Sequence, residues 1–371
     1  MRIGITCYAT FGGSGIIATE IGLELARRGH QVHFICAEVP WRFDHFVENI
    51  FFHEVEWRDY PLLEHSSYAL ALASKMVEVA RYQQLDLFHV HYAIPHATSA
   101  HLAREILIAG NEAAPKLITT LHGTDITLVG SDHSLLPITR FSIERSQGVT
   151  TPSEYLRFAT YEKLGLPPAV PIEVIPNFVD TDSYAPLPER DRRRLKRILH
   201  NSNFRPLKRA DDVLRVFSQV NEKIPCELVF IGDGPERSRV EKMVHELGLA
   251  AEVRFLGKQH NVADVLKQGD VFVLPSVTES FGLAALEALS CGVPVVASDV
   301  GGLPEVIQNG ECGFLTPLGD LAAMSDAIVR MFSDEDLHAR MSIAARKTAL
   351  EHFQRKPMID RYEAYYRKVL G

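Results

Sequence analysis

Short apolar runs alternate with segments of helical composition through the first half of the chain. The length of these runs and their β-branched residues predict buried strands. The strands are predicted at Ile3–Cys7, Gln31–Cys36, Leu87–His91, Leu117–Leu121 and Gly148–Thr151, and helices from Ile16 to about Arg28, over Tyr68–Tyr82 and over Pro95–Ile108. Because strand and helix alternate, we expect a parallel, doubly wound sheet. Ligand-binding residues are then expected just after the strand ends.

The second half of the chain repeats this pattern. Strands are predicted near Ile198–Asn201 and over Leu228–Ile231, Val253–Leu256, Val271–Leu274 and Val295–Ser298. A Leu/Ala-rich helix is predicted over Gly282–Cys291, because Gly292 and Pro294 follow it and Pro294 cannot continue it. A last helix is predicted over Pro357–Leu370, with the proline in its first turn. A chain of 371 residues is long enough for two such domains.

Composition and charge narrow the class of protein. Apolar residues make up 46% and charged residues 23% of the chain, as in soluble globular proteins. The net charge of −8 argues against nucleic-acid binding, which needs a basic face. One basic cluster, Arg190–Arg197, holds six Lys or Arg in eight positions. We interpret it as a solvated helix, with a patch for an anionic membrane as the alternative.

The cysteines and the apolar runs bear on the cellular compartment. The five cysteines form no C-x-x-C pair and no even framework, so we expect neither disulfides nor structural zinc. A reducing cytoplasm is the natural location for such a chain. Met1 and Arg2 lead straight into the first strand, which predicts no signal peptide. No apolar run reaches about 18 residues, so no membrane span is expected.

The stretch Ser276–Gly302 carries the most informative chemistry. Glu279 lies in a loop, and Glu287 lies eight residues later inside the predicted helix, up to roughly 12 Å of helix rise away. Between them, the N–H groups of a helix start are unsatisfied donors that attract phosphate. These donors belong to Phe281, Gly282 and Leu283. The arrangement suits a ligand with hydroxyls at each end and a diphosphate between them, such as a nucleotide sugar. In a purely structural helix, Glu287 would face apolar neighbours without a partner, which is costly.

A glycine-rich segment, Gly12-Gly13-Ser14-Gly15, follows the first strand. Glycine lets the backbone approach a ligand closely and aims N–H groups at an anion. The segment is not G-x-G-x-x-G, which disfavours a nicotinamide-binding enzyme.

Three histidines lie at or near predicted strand ends. His122 follows the strand Leu117–Leu121 and is expected at the ligand-binding edge of the sheet. His89 and His91 lie two residues apart on one strand face, so a metal pair is conceivable. Because no third ligand stands at a telling spacing, we interpret His89 as a core or partly buried residue and leave His91 open.

The segment ESFGLAALE, from Glu279 to Glu287, resembles the signature of retaining family 4 glycosyltransferases when taken with the following CGVPVVAS and GGLPEVI. The resemblance implies the α/β GT-B fold, in which two doubly wound Rossmann-like domains face a cleft. It implies an acceptor-binding domain over residues 1–180, a nucleotide-sugar-binding domain over 181–350, and a C-terminal helix over 351–371 that returns to the first domain. It implies no cofactor and no metal ion.

A D-x-D pattern occurs at Asp180-Thr181-Asp182. It looks like the metal-binding pattern of the other glycosyltransferase fold. However, it lies in PNFVD, which resembles the PNGVD turn where the family's chain leaves its first domain, so we reject a metal site. Phe178 replaces the glycine of that turn, which puts the turn geometry in question.

The resemblance also implies roles for single residues. Catalytic roles in contact with the donor sugar or its diphosphate fall on His122, Arg205, Lys208 and Glu279. Further donor contacts fall on Gly12, Gly13, Gly15, Asn203, Gly257, Lys258, Phe281, Gly282, Leu283 and Glu287, with Glu287 on the ribose and Gly257-Lys258 near the uracil. Asn203 stands where the family has an arginine, so Arg205 must replace that arginine or leave the site less positive.

Longer motifs narrow the resemblance to one branch of the family. GITCYATFGGSGIIATEIG, HVHYAIPHA, TTLHGTDIT and SNFRPLKR resemble the enzymes that glycosylate L-malate in bacillithiol biosynthesis. This implies transfer of N-acetylglucosamine from UDP-GlcNAc to the hydroxyl of L-malate. The two carboxylates of malate need hydrogen-bond donors, which are expected to be Ser14, Tyr92, Thr124 and Arg140 or Arg145.

Two alternatives stay open at the level of sequence. The first is a family member that uses another acceptor, such as an inositol phosphate or a lipid head group. The second is a non-catalytic binding protein on the same fold, against which the joint presence of Glu279, Glu287, Lys208 and His122 speaks. The resemblance suggests a homo-oligomer.

Overall fold

The computed structural model describes residues 1–8, 12–40, 46–56, 68–127, 132–188 and 194–371. The chain divides into two compact units. Unit 1 comprises Met1–Pro176 together with Lys356–Gly371, and unit 2 comprises Asn177–Arg355. Each unit is built on a parallel β-sheet with helices between successive strands. This confirms the prediction of two doubly wound, Rossmann-like α/β domains.

The elements of unit 1 include the five strands that the apolar pattern predicts and two more, Ile50–Glu54 and Glu173–Val174. They are β1 (Arg2–Thr6), α1 (Gly13–Arg27), β2 (Gln31–Cys36), β3 (Ile50–Glu54), α2 (Tyr68–Gln83), β4 (Leu87–His91), α3 (Thr98–Ala109), β5 (Lys116–Thr120), α4 (Thr124–Thr127), α5 (Leu136–Glu144), β6 (Gly148–Thr151), α6 (Glu154–Leu164) and β7 (Glu173–Val174). Over the described residues, the seven strands lie in the order β3-β2-β1-β4-β5-β6-β7. The order reverses between β1 and β4, so the loops that follow these two strands flank the point where such sheets bind ligands.

Unit 2 has the same construction. Its elements are β8 (Lys196–Asn201), α7 (Ala210–Asn221), β9 (Cys226–Ile231), α8 (Arg237–Glu246), β10 (Val253–Phe255), α9 (Val262–Leu266), β11 (Val271–Leu274), α10 (Leu283–Ser290), β12 (Val295–Ser298), α11 (Leu303–Val306), β13 (Gly313–Thr316), α12 (Leu321–Ser333) and α13 (Glu335–His352). In the described part of the unit, the six strands lie in the order β10-β9-β8-β11-β12-β13. The order reverses between β8 and β11. Alternate residues of β11 enter the two apolar clusters on opposite faces of the sheet, Phe272 in one and Val273 in the other.

The last helix, α14 (Arg355–Leu370), contributes to the core of unit 1. Tyr362 and Tyr366 are fully buried there. The hydroxyl of Tyr366 lies 2.7 Å from Nδ1 of His89, and the N–H of Val149 donates to the hydroxyl of Tyr365 at 2.9 Å. The tyrosines of this helix therefore bind two strands of the first sheet, β4 and β6.

The basic cluster is not the solvated helix that its composition suggests. Residues 190–193 lie outside the described residues, but Lys196 and Arg197 belong to β8, which pairs with strands on both sides. Two of its arginines also face acids. Arg194 contacts Asp270 at 2.9 Å, and Nε of Arg197 donates to Glu227 at 2.7 Å. The interpretation as a helix is therefore wrong for residues 194–197, because backbone pairing in the sheet outweighs helix propensity.

Two helix starts also differ from the sequence prediction. α1 begins at Gly13, three residues before the predicted Ile16, because Gly12 takes the extended conformation of a helix cap and its carbonyl accepts from Gly15 and Ile16. The predicted helix Pro95–Ile108 is a π-helical turn over Ala93–Ala97 followed by α3.

None of the helices in the described ranges has the length and hydropathy that crossing a membrane requires.

Candidate active site

The first turn of α1 presents the predicted glycine segment. Gly15 and Ile16 donate to the carbonyl of Gly12 at 3.1 and 3.2 Å, so Gly13, Ser14 and Gly15 lie inside the helix rather than in a loop before it. The N–H groups of a first turn have no acceptor within their own helix. Together with the helix dipole, they make this end of α1 a suitable place for an anionic group.

Tyr92 connects this helix start with the loop after β4. Its hydroxyl donates to Oγ of Ser14 at 2.9 Å, across the point where the strand order reverses. Tyr92 has a positive φ of 87°, which is uncommon for a residue with a side chain. Its ring centroid lies 5.1 Å from that of His122. Ser14, Tyr92 and His122, three residues expected to bind substrate, thus form one group.

His122 is a neutral ring in this group. Its Nε2 lies 2.8 Å from Nδ1 of His91, and the two rings stack with centroids 5.1 Å apart. Burial, with a smaller effect from His96, lowers the pKa of His122 to about 3. At neutral pH the ring therefore carries one N–H and one lone pair and acts as a polar contact rather than as a cation.

Asp125 joins the loops that carry Tyr92 and His122. Its carboxylate accepts from the N–H groups of Ala93 at 3.1 Å, His122 at 3.2 Å and Gly123 at 2.9 Å. The residue is only 2% exposed, and this burial raises the pKa of its carboxyl to about 6, although the N–H donors act in the opposite direction. Asp125 lies in the segment after β5 where ligand residues were expected, but sequence reasoning gave it no role of its own, because its partners are backbone N–H groups.

The other expected acceptor ligands lie on two helices. Thr124 begins the short helix α4 directly after His122-Gly123. Arg140 donates to Glu144 at 2.7 Å on its own helix, α5. Arg145 follows that helix and lies over the ring of Phe141 at 5.2 Å. The structure therefore places both arginines with α5 rather than with Ser14 and Tyr92.

In unit 2, Lys208 and Glu279 meet across β8 and β11. Nζ of Lys208 lies 2.6 Å from Oε1 of Glu279, and the hydroxyl of Ser276 donates to the same oxygen at 2.8 Å. The side chains of Lys208 and Glu279 are 20% and 11% exposed. The N–H of Val277 also donates to the carbonyl of Leu207 at 2.8 Å. Two residues expected to contact the donor thus hold each other in place.

His200 and Ser202 support the loop that carries Lys208. Nδ1 of His200 lies 2.9 Å from the carbonyl oxygen of Val273, which can only accept, so Nδ1 carries the proton. Burial lowers the pKa of His200 to about 4, so the ring is neutral and Nε2 accepts from the Ser202 hydroxyl at 2.8 Å. Ser202 in turn accepts from the N–H of Phe204, which has a positive φ of 44°. Sequence reasoning gave neither side chain a role, because the contact between His200 and Val273 depends on the folded register of β8 and β11.

Asn203 and Arg205 are both exposed on this loop. The turn after β9 lies directly beneath it, because a Cβ at Gly234 would overlap the carbonyl oxygen of Asn203. Gly257 accepts from the N–H of Gly232 at 2.8 Å, and Lys258 next to it is exposed. These residues therefore line one edge of the second sheet.

The start of α10 has the predicted helix-cap geometry. Gly282 is the capping residue, with a positive φ of 98°, Leu283 begins the helix, and Phe281 is buried. Glu287 is only 6% exposed, and it does have an interaction partner. The argument that a purely structural helix would leave this carboxylate without a partner therefore does not hold. The loop before the helix rests on Gly301, where a Cβ would overlap the carbonyl oxygen of Glu279.

The other candidate metal patterns have structural roles. His89 is fully buried, as expected of a core residue, and His91 is buried as well. Asp180 accepts from the hydroxyl of Ser183 at 2.8 Å and pairs with Arg355 at 3.4 Å. Phe178, in place of the family's glycine, is buried. Among the described residues, no group of three or more His, Cys, Asp or Glu is placed to hold a metal ion.

Comparison with known proteins identifies the family. Residues 11–183 match the model of Glycosyltransferase Family 4, and residues 189–348 match the model of Glycosyl transferases group 1. The chain belongs to this family, and it is a glycosyltransferase.

Individual relatives span all or most of the chain. The N-acetyl-alpha-D-glucosaminyl L-malate synthase of Bacillus anthracis is 43% identical over 100% of this chain and 97% of its own length. A GDP-mannose-dependent alpha-(1-6)-phosphatidylinositol monomannoside mannosyltransferase of Mycolicibacterium smegmatis is 29% identical over 76% of each chain. Among solved structures, Anabaena HepE in complex with UDP and glucose has a TM-score of 0.83 at 20% identity over 99% of both chains, which shows a shared fold.

Proposed function

We propose that the protein transfers N-acetylglucosamine from UDP-GlcNAc to the hydroxyl of L-malate, with retention at the anomeric carbon, as the first step of bacillithiol biosynthesis. The observation that carries this proposal is the 43% identity to a protein of that activity, which extends over all of this chain and so includes the candidate residues of both units. A cytoplasmic enzyme and a homo-oligomer stay predictions from the sequence.

The donor nucleotide is assigned to unit 2. Glu287 would bind the ribose, and the N–H groups at the start of α10 would face the diphosphate. Lys208 and Arg205 would offset the negative charge that gathers on departing UDP. Oε1 of Glu279 is occupied by Lys208 and Ser276, which leaves Oε2 for a sugar hydroxyl. The ion pair thus fixes the cation and the sugar-binding carboxylate together.

The acceptor is assigned to unit 1. The hydroxyls of Ser14 and Thr124 and the N–H groups at the start of α1 are donors that suit a carboxylate of malate. The hydroxyl of Tyr92 donates to Ser14 and would have to break that hydrogen bond to donate to malate. His122 would contact the donor sugar. Arg140 or Arg145 is proposed as the cation for the second carboxylate, which requires that Arg140 exchange its present partner Glu144.

The proposed reaction is a substitution on one face of the sugar. The bond between the anomeric carbon and the β-phosphate oxygen breaks, and UDP leaves with the electron pair. The malate oxygen bonds to the anomeric carbon on the same face, and its proton passes to an oxygen of the departing phosphate. This route requires no protein nucleophile, and the fixed cations stabilise the charge where it develops.

The test is mass spectrometry of the full-length protein incubated with UDP-GlcNAc and one acceptor at a time, in EDTA. The acceptors are L-malate, D-malate, inositol 3-phosphate and water. We expect a GlcNAc adduct of L-malate, with an α linkage by NMR. Turnover only with another acceptor, or release of UDP without an adduct, would contradict the proposed acceptor but not the glycosyltransferase class.

A matched pair of lysine variants tests the donor site. Lys208 and Lys223 both pair with a carboxylate in unit 2, at 2.6 and 2.9 Å, but Lys223 pairs with the exposed Asp326. We expect Lys208→Ala to lower kcat/KM for UDP-GlcNAc by about 100-fold, the order of loss for one transition-state contact, and Lys223→Ala to leave it unchanged. Equal activity in the two variants would remove Lys208 from the proposed site.

A further inference from the structure

Four imidazoles gather in unit 1, two of them within β4 and two in the segments that follow β4 and β5. The rings of His89 and His91 lie 4.5 Å apart, and those of His91 and His122 lie 5.1 Å apart. His96 joins them through Nδ1, which lies 2.5 Å from the carbonyl oxygen of His91. His89, His91 and His96 are fully buried, so the position of each ring proton follows from the partners of its two nitrogens.

His96 has only one possible tautomer. The carbonyl oxygen of His91 can only accept, so Nδ1 of His96 carries the proton. Nε2 of His96 is then a lone pair, and it has no hydrogen-bond partner among the described residues. The unpaired atom of His96 is therefore a hydrogen-bond acceptor and not a donor.

His91 and His122 share one hydrogen bond that can run in either direction. Nδ1 of His91 lies 2.8 Å from Nε2 of His122, and Nε2 of His91 is buried without a partner among the described residues. If His122 donated, Nε2 of His91 would be an unpaired buried N–H. If His91 donates, the unpaired atom is a lone pair, as in His96. Orphaned buried N–H groups are rarer than under-satisfied acceptors, so the second arrangement is favoured.

Both rings are neutral at physiological pH. Burial is the main cause that lowers the pKa of His91 well below its ordinary value and that of His122 to about 3. Each ring therefore holds one proton, and the choice between the two arrangements is a choice between two tautomers.

We propose that His91 is a positioning residue that donates its Nδ1–H to Nε2 of His122 and so fixes His122 as the Nδ1–H tautomer. His122 then presents a hydrogen-bond donor, and the ligand atom that it meets is an acceptor oxygen of the sugar or its N-acetyl group. His122 does not serve as the general base for the acceptor hydroxyl, because its lone pair is used by His91. The ligand part of this inference rests on the proposed function, in which His122 contacts the donor sugar.

The tautomer can be measured on the ligand-free, full-length protein. Histidine labelled with ¹⁵N distinguishes a protonated from an unprotonated ring nitrogen by chemical shift and by its pattern of couplings to the ring protons. The signals of His122 are identified by their loss in His122→Asn. If that variant does not fold, they are identified by through-space contacts to Tyr92, whose ring centroid lies 5.1 Å away. We expect a protonated Nδ1 and an unprotonated Nε2, and the reverse assignment would overturn the proposal.

A pair of His91 variants tests the consequence for activity. His91→Asn can place an amide N–H where Nδ1 lies, whereas His91→Leu places no donor there. We expect the leucine variant to lose about tenfold in kcat/KM for the donor, the value of one lost hydrogen bond, and the asparagine variant to recover most of it at a similar melting temperature. Equal loss in both variants would indicate a purely structural role and overturn the positioning role.

The experiments distinguish a failure of the proposed function from a failure of the role of His91. If the protein does not use L-malate but His122 shows the Nδ1–H tautomer, the proposed function falls and the tautomer assignment stands. If the malate adduct forms but Nε2 of His122 carries the proton, the proposed function stands and the role of His91 falls.

Discussion

Replacing Asp125 by asparagine should remove the contribution of one titrating carboxyl group to the pH dependence of the stability of unit 1. The carboxyl of Asp125 is buried and accepts from the N–H groups of Ala93, His122 and Gly123. Asparagine has nearly the same shape and stays neutral at every pH. The variant therefore isolates the contribution of one ionisable group that joins the loops carrying Tyr92 and His122.

The expected size follows from the pKa of Asp125. Burial raises it from 3.8 to about 6, and this difference of about 2.2 corresponds to about 3 kcal/mol at 1.36 kcal/mol per pKa unit. Because the pKa is higher in the folded state, the folded protein favours the protonated acid. The associated stability is complete below about pH 3.8 and is lost as the pH rises through about 6. The free energy of unfolding of the wild type, minus that of Asp125→Asn, should thus fall by about 3 kcal/mol across this window.

Far-UV circular dichroism can follow the unfolding of both proteins. Urea unfolding of the full-length wild type and variant, followed by this signal at several pH values between about 4 and 7, gives the difference directly. All other titrating groups are shared by the two proteins and cancel in it.

Parallel stability curves for the two proteins would refute this reasoning. They would mean that the N–H donors compensate the burial of the charge fully. A difference that grows as the pH rises would mean that these donors outweigh burial and that the pKa of Asp125 lies below its ordinary value.

Three further substitutions test other contacts. Glu279→Gln removes the charge that faces Lys208. It should lower the free energy of unfolding, measured by urea denaturation, by about 1–2 kcal/mol, and it should also lower kcat/KM for the donor. Unchanged values would contradict the role of this ion pair. Glu287→Ala should raise KM for UDP-GlcNAc more than KM for malate in steady-state kinetics, and an unchanged donor KM would exclude the ribose role. Tyr366→Phe removes the hydroxyl that contacts His89 inside the core and should lower the free energy of unfolding, measured with urea, by about 1–3 kcal/mol. An unchanged free energy of unfolding would show that this contact contributes no net stability.

Strands inside the two sheets were predictable because both of their faces are buried. Gln31–Cys36, Gly148–Thr151 and Val271–Leu274 consist mainly of apolar or β-branched residues, and the structure has them at the predicted bounds. The two edge strands of the first sheet lack this signal. β3 mixes exposed and partly buried residues, with Phe51 at 42% exposure, and β7 has only two residues, so neither was predicted.

The residues of the candidate site also differ in how well the sequence predicts them. Residues that belong to a motif, such as Lys208 and Glu279, could be predicted, and the structure brings these two together. Residues that position other side chains could not be predicted. The contact between His91 and His122 depends on the register of β4 and β5, in which His91 lies opposite Thr120, and local sequence does not determine that register. A motif predicts which residues bind a ligand. The residues that hold those side chains in position depend instead on pairing between distant segments of the chain.

The division of unit 1 along the chain has a consequence for biosynthesis. Met1–Pro176 is translated first, but the tyrosines that contact His89 and Val149 come from Lys356–Gly371, after all of unit 2. During translation, unit 2 is a continuous segment that can complete its fold while unit 1 still lacks its last helix. The nascent N-terminal segment must therefore keep an apolar surface on its first sheet uncovered for about 180 residues of synthesis, which is the span of unit 2. At elongation rates of about 5–20 residues per second this lasts roughly 10–35 s, a period in which chaperone binding would protect the chain from aggregation.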